Sequence, residues 1–336
     1  EFDTATQAFG LATTTGVVSM TGLAGLTLGG GIGWLNGRYG LACDNLLAAQ
    51  VVTADGRLLT ASDHDHPDLF WALRGGGGNF GIVTSFTFRI HPVSVVIAGG
   101  VSFGPAQARD ALRFYHEFAR GCPDELTTAA SVGLDADGQP TVSIAVCYCG
   151  SAEQGERALL PLRSFGPPAS DGIGPTSYLE VQSVSDEGFP SGRQHYWKAS
   201  FLRDVTDDAI DTILGFVTKM PSAFSGVGLQ QMGGAASRVA PTATAFSHRA
   251  PQYDFLILSQ WSDVSEADRN IAWTRSLFEA MQPHLEPGVY VNNLGDEEVD
   301  RVKAAYGPNY SRLTEVKTAY DPSNLFRRNH NIVPID

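Results

Sequence analysis

Residues 16–45 read GVVSMTGLAGLTLGGGIGWLNGRYGLACDN, and the first half of this stretch holds almost no side chain larger than leucine. Its centre is Gly29, Gly30, Gly31 and Gly33. Glycine is placed where the backbone takes a positive φ or lies against something flat with no Cβ in the way. No Gly-Lys-Ser/Thr follows, which excludes a Walker loop. A dinucleotide fingerprint is also a poor match, because GGGIGWLNG lacks a clean strand before it and a ribose-binding acid after it. Alone, the cluster fits a structural turn as well as a ligand contact. A second cluster, RGGGGNFGIV from Arg74 to Val83, tips the balance toward main chain wrapped closely around a ligand.

The 336 residues are enough for two domains. A formal net charge of −13 argues against nucleic acid or anionic lipid as partners. No run of about 18 apolar residues offers a membrane span. No secretory leader is visible either, so the expected location is cytoplasmic. The opening Glu1-Phe2-Asp3, followed by TATQAFGLA, reads like the last turns of a helix already under way, so the expectation is a start inside a domain. Cys43, Cys122, Cys147 and Cys149 show no CxxC or Cys/His ligand spacing, and the histidines form no metal set. Buried free thiols and no metal are the expectation.

Taken in order, residues 3–9 form a helix stopped by Gly10. Leu46 to Ser62 reads as two strands around Asp55-Gly56. HPDLFWALRGGGG reads as a helix with Asp65 as cap, Pro67 in its first turn, and Leu69, Phe70 and Leu73 on one face. GIVTSFTFRI alternates as a half-buried strand, and a domain boundary is expected at His91-Pro92. Beyond it, strands are expected at 95–103, 127–133, 141–148, 197–203, 227–232 and 253–261. Helical faces fall between them: Ala108, Ala111, Leu112, Tyr115 and Phe118; then Ile210, Ile213, Leu214 and Val217 behind a Thr206 cap; then Ile271, Leu277, Phe278 and Met281. This pattern predicts an α+β domain with a mainly antiparallel sheet. In the tail, Tyr310, Leu313, Val316 and Tyr320 mark a helix that Asp321-Pro322 ends. Asn329-His330-Asn331 then places three polar side chains in a row.

Few residues suggest chemistry by themselves. Lys198, flanked by Tyr196 and Trp197, is the cation expected in a pocket, with an ordinary ion pair as the competing account. Tyr290 and Asn292 alternate in YVNN and would share one face of a short strand, although core packing explains Tyr290 equally well. His195 and His248 could line a pocket in the second domain. No GxSxG elbow is present.

Taken together, TGLAGLTLGGGIGWLNGRYGLACDNLLAAQVVTADG, DLFWALRGGGGNFGIVTSFTF, YVNNLGDE and NYSRLTEVKTAYDPSNLFRRNHNI resemble the berberine-bridge-enzyme-like branch of the FAD-linked oxidases. The resemblance covers the whole chain. It implies an α+β protein: the second half of a p-cresol methylhydroxylase-type FAD-binding domain over residues 1–93, and an α+β substrate domain over 94–288 whose mainly antiparallel sheet is covered by helices. Residues 289–336 would return to the FAD domain. The implied activity is an FAD-dependent oxidase in which hydride passes from a small alcohol, sugar or amine to flavin N5, and O2 reoxidises the flavin to give H2O2. By motif match, Thr21, Gly22, Gly25, Leu26, Thr27 and Gly29 would lie along the flavin and ribityl chain, with Tyr39 in the same wall. Ile82 and Val83 would offer backbone to the adenine side. Asn292, Asn329 and Asn331 would close the flavin site, and Tyr290, Asn293 and Lys198 are the candidate catalytic residues.

The chain departs from the family in three places. The N-terminal FAD subdomain, with its pyrophosphate loop and flavin-linking histidine, has no counterpart here and becomes a candidate missing partner. Val18 stands where doubly attached members carry a cysteine, so at most one covalent flavin link is expected. Asn293 stands where many members carry a tyrosine, which excludes a phenolate base there and shifts the expected substrate toward amines or alcohols. The alternative to an oxidase is a non-catalytic remnant or small-molecule-binding protein with an incomplete FAD site. A hydrolase or lyase ranks last, for want of a nucleophile and base.

Overall fold

The structure, a computed structural model, describes residues 1–295 and 299–335. The chain divides into two packed units. The first comprises Glu1–Val93, Gly234–Ala250 and the chain from Gly288 onward; the second comprises Ser94–Gly233 and Pro251–Pro287. Residues 234–250, which the sequence reading leaves in the second domain, therefore belong with the first. The cause is a set of contacts that spacing along the chain cannot reveal. Arg249 is buried and grips Asp44 with two bonds of 2.7 and 2.8 Å. The Ala245 and Phe246 amides donate to the carbonyls of Trp71 and Arg74.

In the first unit, α1 (Phe2–Gln7) is followed by a turn in which Gly10 takes φ 65°. Helices α2 (Leu23–Leu28) and α3 (Asn36–Tyr39) flank the central glycines. Strands β1 (Leu46–Val52) and β2 (Leu58–Ser62) form the expected hairpin. After α4 (Pro67–Leu73), β3 (Ile82–Phe88) completes an antiparallel sheet in the order β2-β1-β3. Helix α4 buries all five residues from Leu69 to Leu73. Its N-cap is His66 at φ 48°, not Asp65, because the Asp65 carbonyl is committed to the Ser62 amide at 2.7 Å and the helix starts one residue later.

The second unit matches its expected elements closely. In chain order these are β4 (Val95–Phe103), α5 (Ala108–Arg120), β5 (Leu126–Leu134), β6 (Pro140–Tyr148), α6 (Ala152–Ser164), β7 (Gly174–Ser177), α7 (Tyr178–Ser183), β8 (Gln194–Leu202), α8 (Asp207–Val217), β9 (Gly226–Met232), β10 (Gln252–Trp261) and α9 (Ala267–Met281). Among the described residues the strands form an antiparallel sheet ordered β7-β4-β6-β5-β9-β10-β8, with residues 170–171 pairing beside β4. One face packs under helices: Val132, Val142, Ile144, Val227, Leu229, Phe255 and Ile257 share a core with residues of α5, α6, α8 and α9. Thr206 caps α8 as expected, accepting the Ala209 amide. The sequence reading missed β7, α6 and α7. Gly155 and Pro161 interrupt the helical pattern of α6, whereas α7 is short and is set by a Ser177–Glu180 capping box.

The tail of the first unit carries two helices, α10 (Val302–Tyr306) and α11 (Tyr310–Tyr320). YVNN is not the expected short strand. Val291–Asn293 make one 3-10 turn closed by the Asn293 amide on the Tyr290 carbonyl, so Tyr290 and Asn292 are brought together by curvature rather than by alternation. The last two residues of the YVNNLGDE motif, Asp296 and Glu297, lie outside the described residues. Among the described residues, no helix is long and apolar enough to cross a membrane.

Candidate cofactor site

The two glycine clusters meet at the C-terminal end of α2. The Leu28 carbonyl accepts the amides of both Gly75 and Gly77 at 2.9 Å, which caps the helix with the second glycine loop. Gly75 does this at φ 122°, where a side chain would be strained and would also overlap the Phe246 backbone. On the other side, the carbonyls of Gly30 and Gly31 accept the amides of Cys43 and Ala42. There is no room there: a Cβ on Gly33 would overlap the Thr15 carbonyl, and one on Gly29 would overlap the Asn292 side chain. Gly22 and Gly25 are different, because a Cβ on either would point into open space.

That space opens into a cavity of about 740 Å³ within the first unit. Gly25 and Leu28 line one side, Gly77 and Gly78 another, and Asn292, Asn329 and Asn331 face them. The Asn329 amide donates to the Gly78 carbonyl at 2.7 Å. The Asn331 Oδ1 atom is buried with no partner among the described residues, and so is the Thr27 hydroxyl. Buried polar atoms are seldom left unmatched. An opening walled by glycine, with amide side chains and an orphaned acceptor, suits a flat ligand bearing ring N–H and hydroxyl groups. Lys303, Arg327 and Arg328 add positive charge at the same lining. The residues present thus fit part of an FAD.

Of the residues that the family motif assigns to the flavin, Gly25, Asn292, Asn329 and Asn331 line one cavity, and Thr21, Gly22, Leu26, Thr27 and Gly29 run along the adjoining helix and its ends. The remaining candidates lie elsewhere. Tyr39 stacks on His91 with ring centres 3.9 Å apart. Ile82 and Val83 pair with Val52 and Val51 in the small sheet. The tail cations and Tyr306 were not singled out, because RR and a lone tyrosine carry no spacing signal.

The Tyr290 phenol is buried. Its oxygen accepts the Gly31 amide at 2.9 Å, the Ile32 amide at 3.3 Å and the Asn292 side-chain amide at 2.7 Å. Asn292 also donates to the Leu26 carbonyl. Asn293 is half-buried at the end of the same turn. His248 lies in the first unit and not in the second, with Nε2 against the carbonyls of Ala304 and Ala305. Burial lowers its pKa and outweighs these two carbonyls, which raise it. Burial likewise pushes the Cys43 thiol far up, so it is no nucleophile.

Lys198 lies in the second unit. It pairs across β8 and β10 with Ile257, a residue of the helix-covered core, and its Nζ approaches the rings of Tyr196 and of Phe278 on α9. It therefore sits on the helix side of the sheet. Gln230 and Asp254, cross-strand neighbours on β9 and β10, are on the opposite side, because the residues that alternate with them (Leu229, Tyr253 and Phe255) belong to the core.

Two family models match the chain: "FAD binding domain" over residues 1–62 and "Berberine and berberine like" over residues 289–333. An FAD-linked oxidoreductase of Dictyostelium discoideum is 32% identical over 339 residues, covering 100% of this chain and 73% of that protein. The (R)-6-hydroxynicotine oxidase of Paenarthrobacter nicotinovorans is 32% identical over 342 residues, covering 97% and 73%. The crystal structure of 6-hydroxy-D-nicotine oxidase from Arthrobacter nicotinovorans superposes with a TM-score of 0.87 at 32% identity, covering 99% of this chain and 76% of that one. A berberine-bridge-enzyme-like protein of Arabidopsis thaliana, at 24% identity and a TM-score of 0.87, shares the fold.

Proposed function

We propose, on the premise that this chain belongs to the berberine and berberine-like family of FAD-linked oxidoreductases, that it oxidises a small alcohol, sugar or amine with O2 as the final acceptor. The observation that carries this reading is the cavity in which Gly25, Gly77 and Gly78 face Asn292, Asn329 and Asn331. When bound, FAD would supply the two-electron redox chemistry. The chain's own residues hold and orient it. Thr21, Gly22, Gly25, Leu26 and Thr27 offer a surface that a planar ring can approach closely. Gly29 leaves room for Asn292, which Tyr290 holds in place from behind. Asn329 and Asn331 supply polar contacts, and Arg327, Arg328 and Lys303 balance negative charge. Tyr39, Ile82 and Val83 are proposed to contact parts of the cofactor outside the cavity.

In this reading Tyr290 is a positioning residue, since its oxygen is committed to the glycine loop. Asn293 is assigned to hydrogen-bonding the substrate, and an amine substrate that is already neutral needs no strong base. The nicotine oxidase relative, whose name specifies an amine, favours that class. A preceding FAD subdomain is the proposed partner, supported by the exposure of Met20 (64%) and Ile82 (57%) beside the assigned contacts. The cytoplasm is the proposed compartment, in keeping with Cys43, Cys122, Cys147 and Cys149 being thiols rather than disulfide sulfurs.

The test is a visible spectrum of the purified chain with FAD, taken before and after acid precipitation, together with an H2O2 assay on a panel of amines, alcohols and sugars. A flavin spectrum with peroxide production supports the proposal. Ligand binding without flavin absorbance, even with the upstream region restored, would overturn it in favour of a non-catalytic binding protein.

A further inference from the structure

Lys317 and Asp321 form an ion pair from which water is wholly excluded, both side chains being 0% exposed. Burying two charges is unfavourable unless every donor and acceptor is matched. Here they are. Lys317 Nζ donates to Asp321 Oδ2 at 2.6 Å, to the Asn79 carbonyl at 2.8 Å and to the Phe326 carbonyl at 2.9 Å, which uses all three of its protons. The Asp321 carboxylate in turn accepts the amides of Leu325 and Phe326, both at 2.8 Å. Asn79, fully buried, carries the connection onward. Its side chain donates to the carbonyls of Gly76 and His330 and accepts the Ile332 amide.

This network joins two stretches that are far apart in sequence. One is the glycine loop 75–79; the other is the tail 325–332, which carries Arg327, Arg328, Asn329, His330 and Asn331 into the cavity lining. Other ties add to it: Asn329 donates to the Gly78 carbonyl, the Tyr306 hydroxyl to the His330 carbonyl at 3.4 Å, and the Ile335 amide to the Thr318 hydroxyl at 2.8 Å. The tail has no regular secondary structure, and apart from Ile332 its side chains are largely exposed or half-exposed. The spacing between Gly78 and Asn329 is tight enough that a Cβ on Gly78 would fall 3.1 Å from Asn329 Oδ1. A small drift of the tail would therefore reshape the cavity.

We propose that Lys317 and Asp321 are positioning residues of the cofactor site: a buried latch that fixes the tail against the glycine loop and sets the width of the cavity between them. This rests on the reading of the cavity as the FAD site, and the experiment separates the two ideas. Wild-type protein, K317M and D321N are compared by FAD titration, by hydrogen exchange, and by the rate of tryptic cleavage after Arg327 and Arg328. The latch predicts faster exchange at the Leu325, Phe326 and Ile332 amides, faster cleavage, and FAD affinity weakened about tenfold or more, with β6 exchange unchanged. Exchange raised uniformly through both units would reduce the pair to general stabilisation and overturn the proposal. So would a loosened tail with unchanged FAD affinity. If wild type itself binds no FAD, the cofactor reading fails, and exchange and cleavage still decide whether the latch exists. Should K317M not fold, D321N, which keeps the volume but removes the charge and turns one of the two accepting oxygens into a donor, decides alone.

Discussion

The phenol oxygen of Tyr290 sits 2.9 Å from the amide nitrogen of Gly31, a residue 259 positions earlier in the chain. A buried oxygen that accepts the Gly31 and Ile32 amides and the Asn292 side chain is a fastening point: it holds the glycine stretch and the YVNN turn in one arrangement. Tyr290→Phe removes the acceptor and leaves buried donors unmatched, at a cost of about 1–3 kcal/mol for each such group. The expected result is a clear fall in the urea midpoint with the slope unchanged, together with weaker FAD binding through Asn292. The pH dependence of flavin reduction should stay as in wild type on the proposed reading, in which Tyr290 positions the glycine loop and Asn292 and transfers no proton. A lost pH limb would identify Tyr290 as an acid or base instead.

Gly25 and Gly33 should respond to alanine in opposite ways. Gly33 has the Thr15 carbonyl where a Cβ would go, so Gly33→Ala forces backbone apart and should abolish folding or lower the melting temperature sharply. Gly25 lies inside α2 with open space beyond it. Alanine there favours the helix by up to about 1 kcal/mol while filling the cavity wall. Gly25→Ala is therefore expected to melt at the same temperature or higher, yet to bind FAD more weakly. Thermal melts paired with flavin titration check both variants.

Local patterning accounts for what the sequence disclosed. Alternation located β4, β5, β6, β8, β9 and β10 to within a few residues, because a buried face leaves a visible two-residue mark, but it missed the four-residue edge strand β7. The 3.6-residue period likewise located α5, α8 and α9. The failures share a different cause. Arg249 reads as a single charge in a loop, and nothing nearby in sequence announces Asp44 as its partner. Lys317 and Asp321 look like an exposed i,i+4 surface pair. A signal was nevertheless available, because Lys317 follows Leu313 by four residues and so lies on the buried face of α11. Asn292, Asn329 and Asn331 were legible only through the family motif; their meeting with Gly78 depends on tertiary contacts.

Stability should fall in two stages on acidification. His248 is held below its usual pKa by burial, so its native state favours the neutral ring. That contribution is complete above the unfolded value near 6.5 and is lost as pH drops toward the folded one. For Asp321, burial pushes the carboxyl up, but the Lys317 hydrogen bond and the Phe326 and Leu325 amides outweigh it and hold the pKa below the ordinary range. Its contribution is present above about 3.9 and disappears as pH falls through the folded value. Urea unfolding measured from pH 7 to pH 3 should show both declines. His248→Gln should shrink the first decline, which His91, His116 and His195 share, and D321N the second, which Asp55, Glu180, Asp207 and Asp263 share.

The two faces of the second unit's sheet differ in character. Lys198 pairs with Ile257 and reaches toward Phe278 on α9, so it lies on the face that the helices cover. Gln230 lies on the other face beside Asp254, and its Nε2 is buried with no partner among the described residues. A donor in that position is available to a ligand oxygen or nitrogen, whereas the Lys198 ammonium is occupied with aromatic rings at the edge of a core. Lys198→Met keeps the length and the apolar packing, so it should leave kcat and KM within about twofold, the range of a substitution away from the chemistry. Gln230→Leu removes that unmatched donor and, on the proposal that the substrate lies against this face, should raise KM by roughly tenfold, the equivalent of one hydrogen bond, with a smaller change in kcat. Steady-state oxidation of one accepted substrate distinguishes the faces. A large loss in Lys198→Met with Gln230→Leu unaffected would count against the Gln230 face and in favour of the helix side.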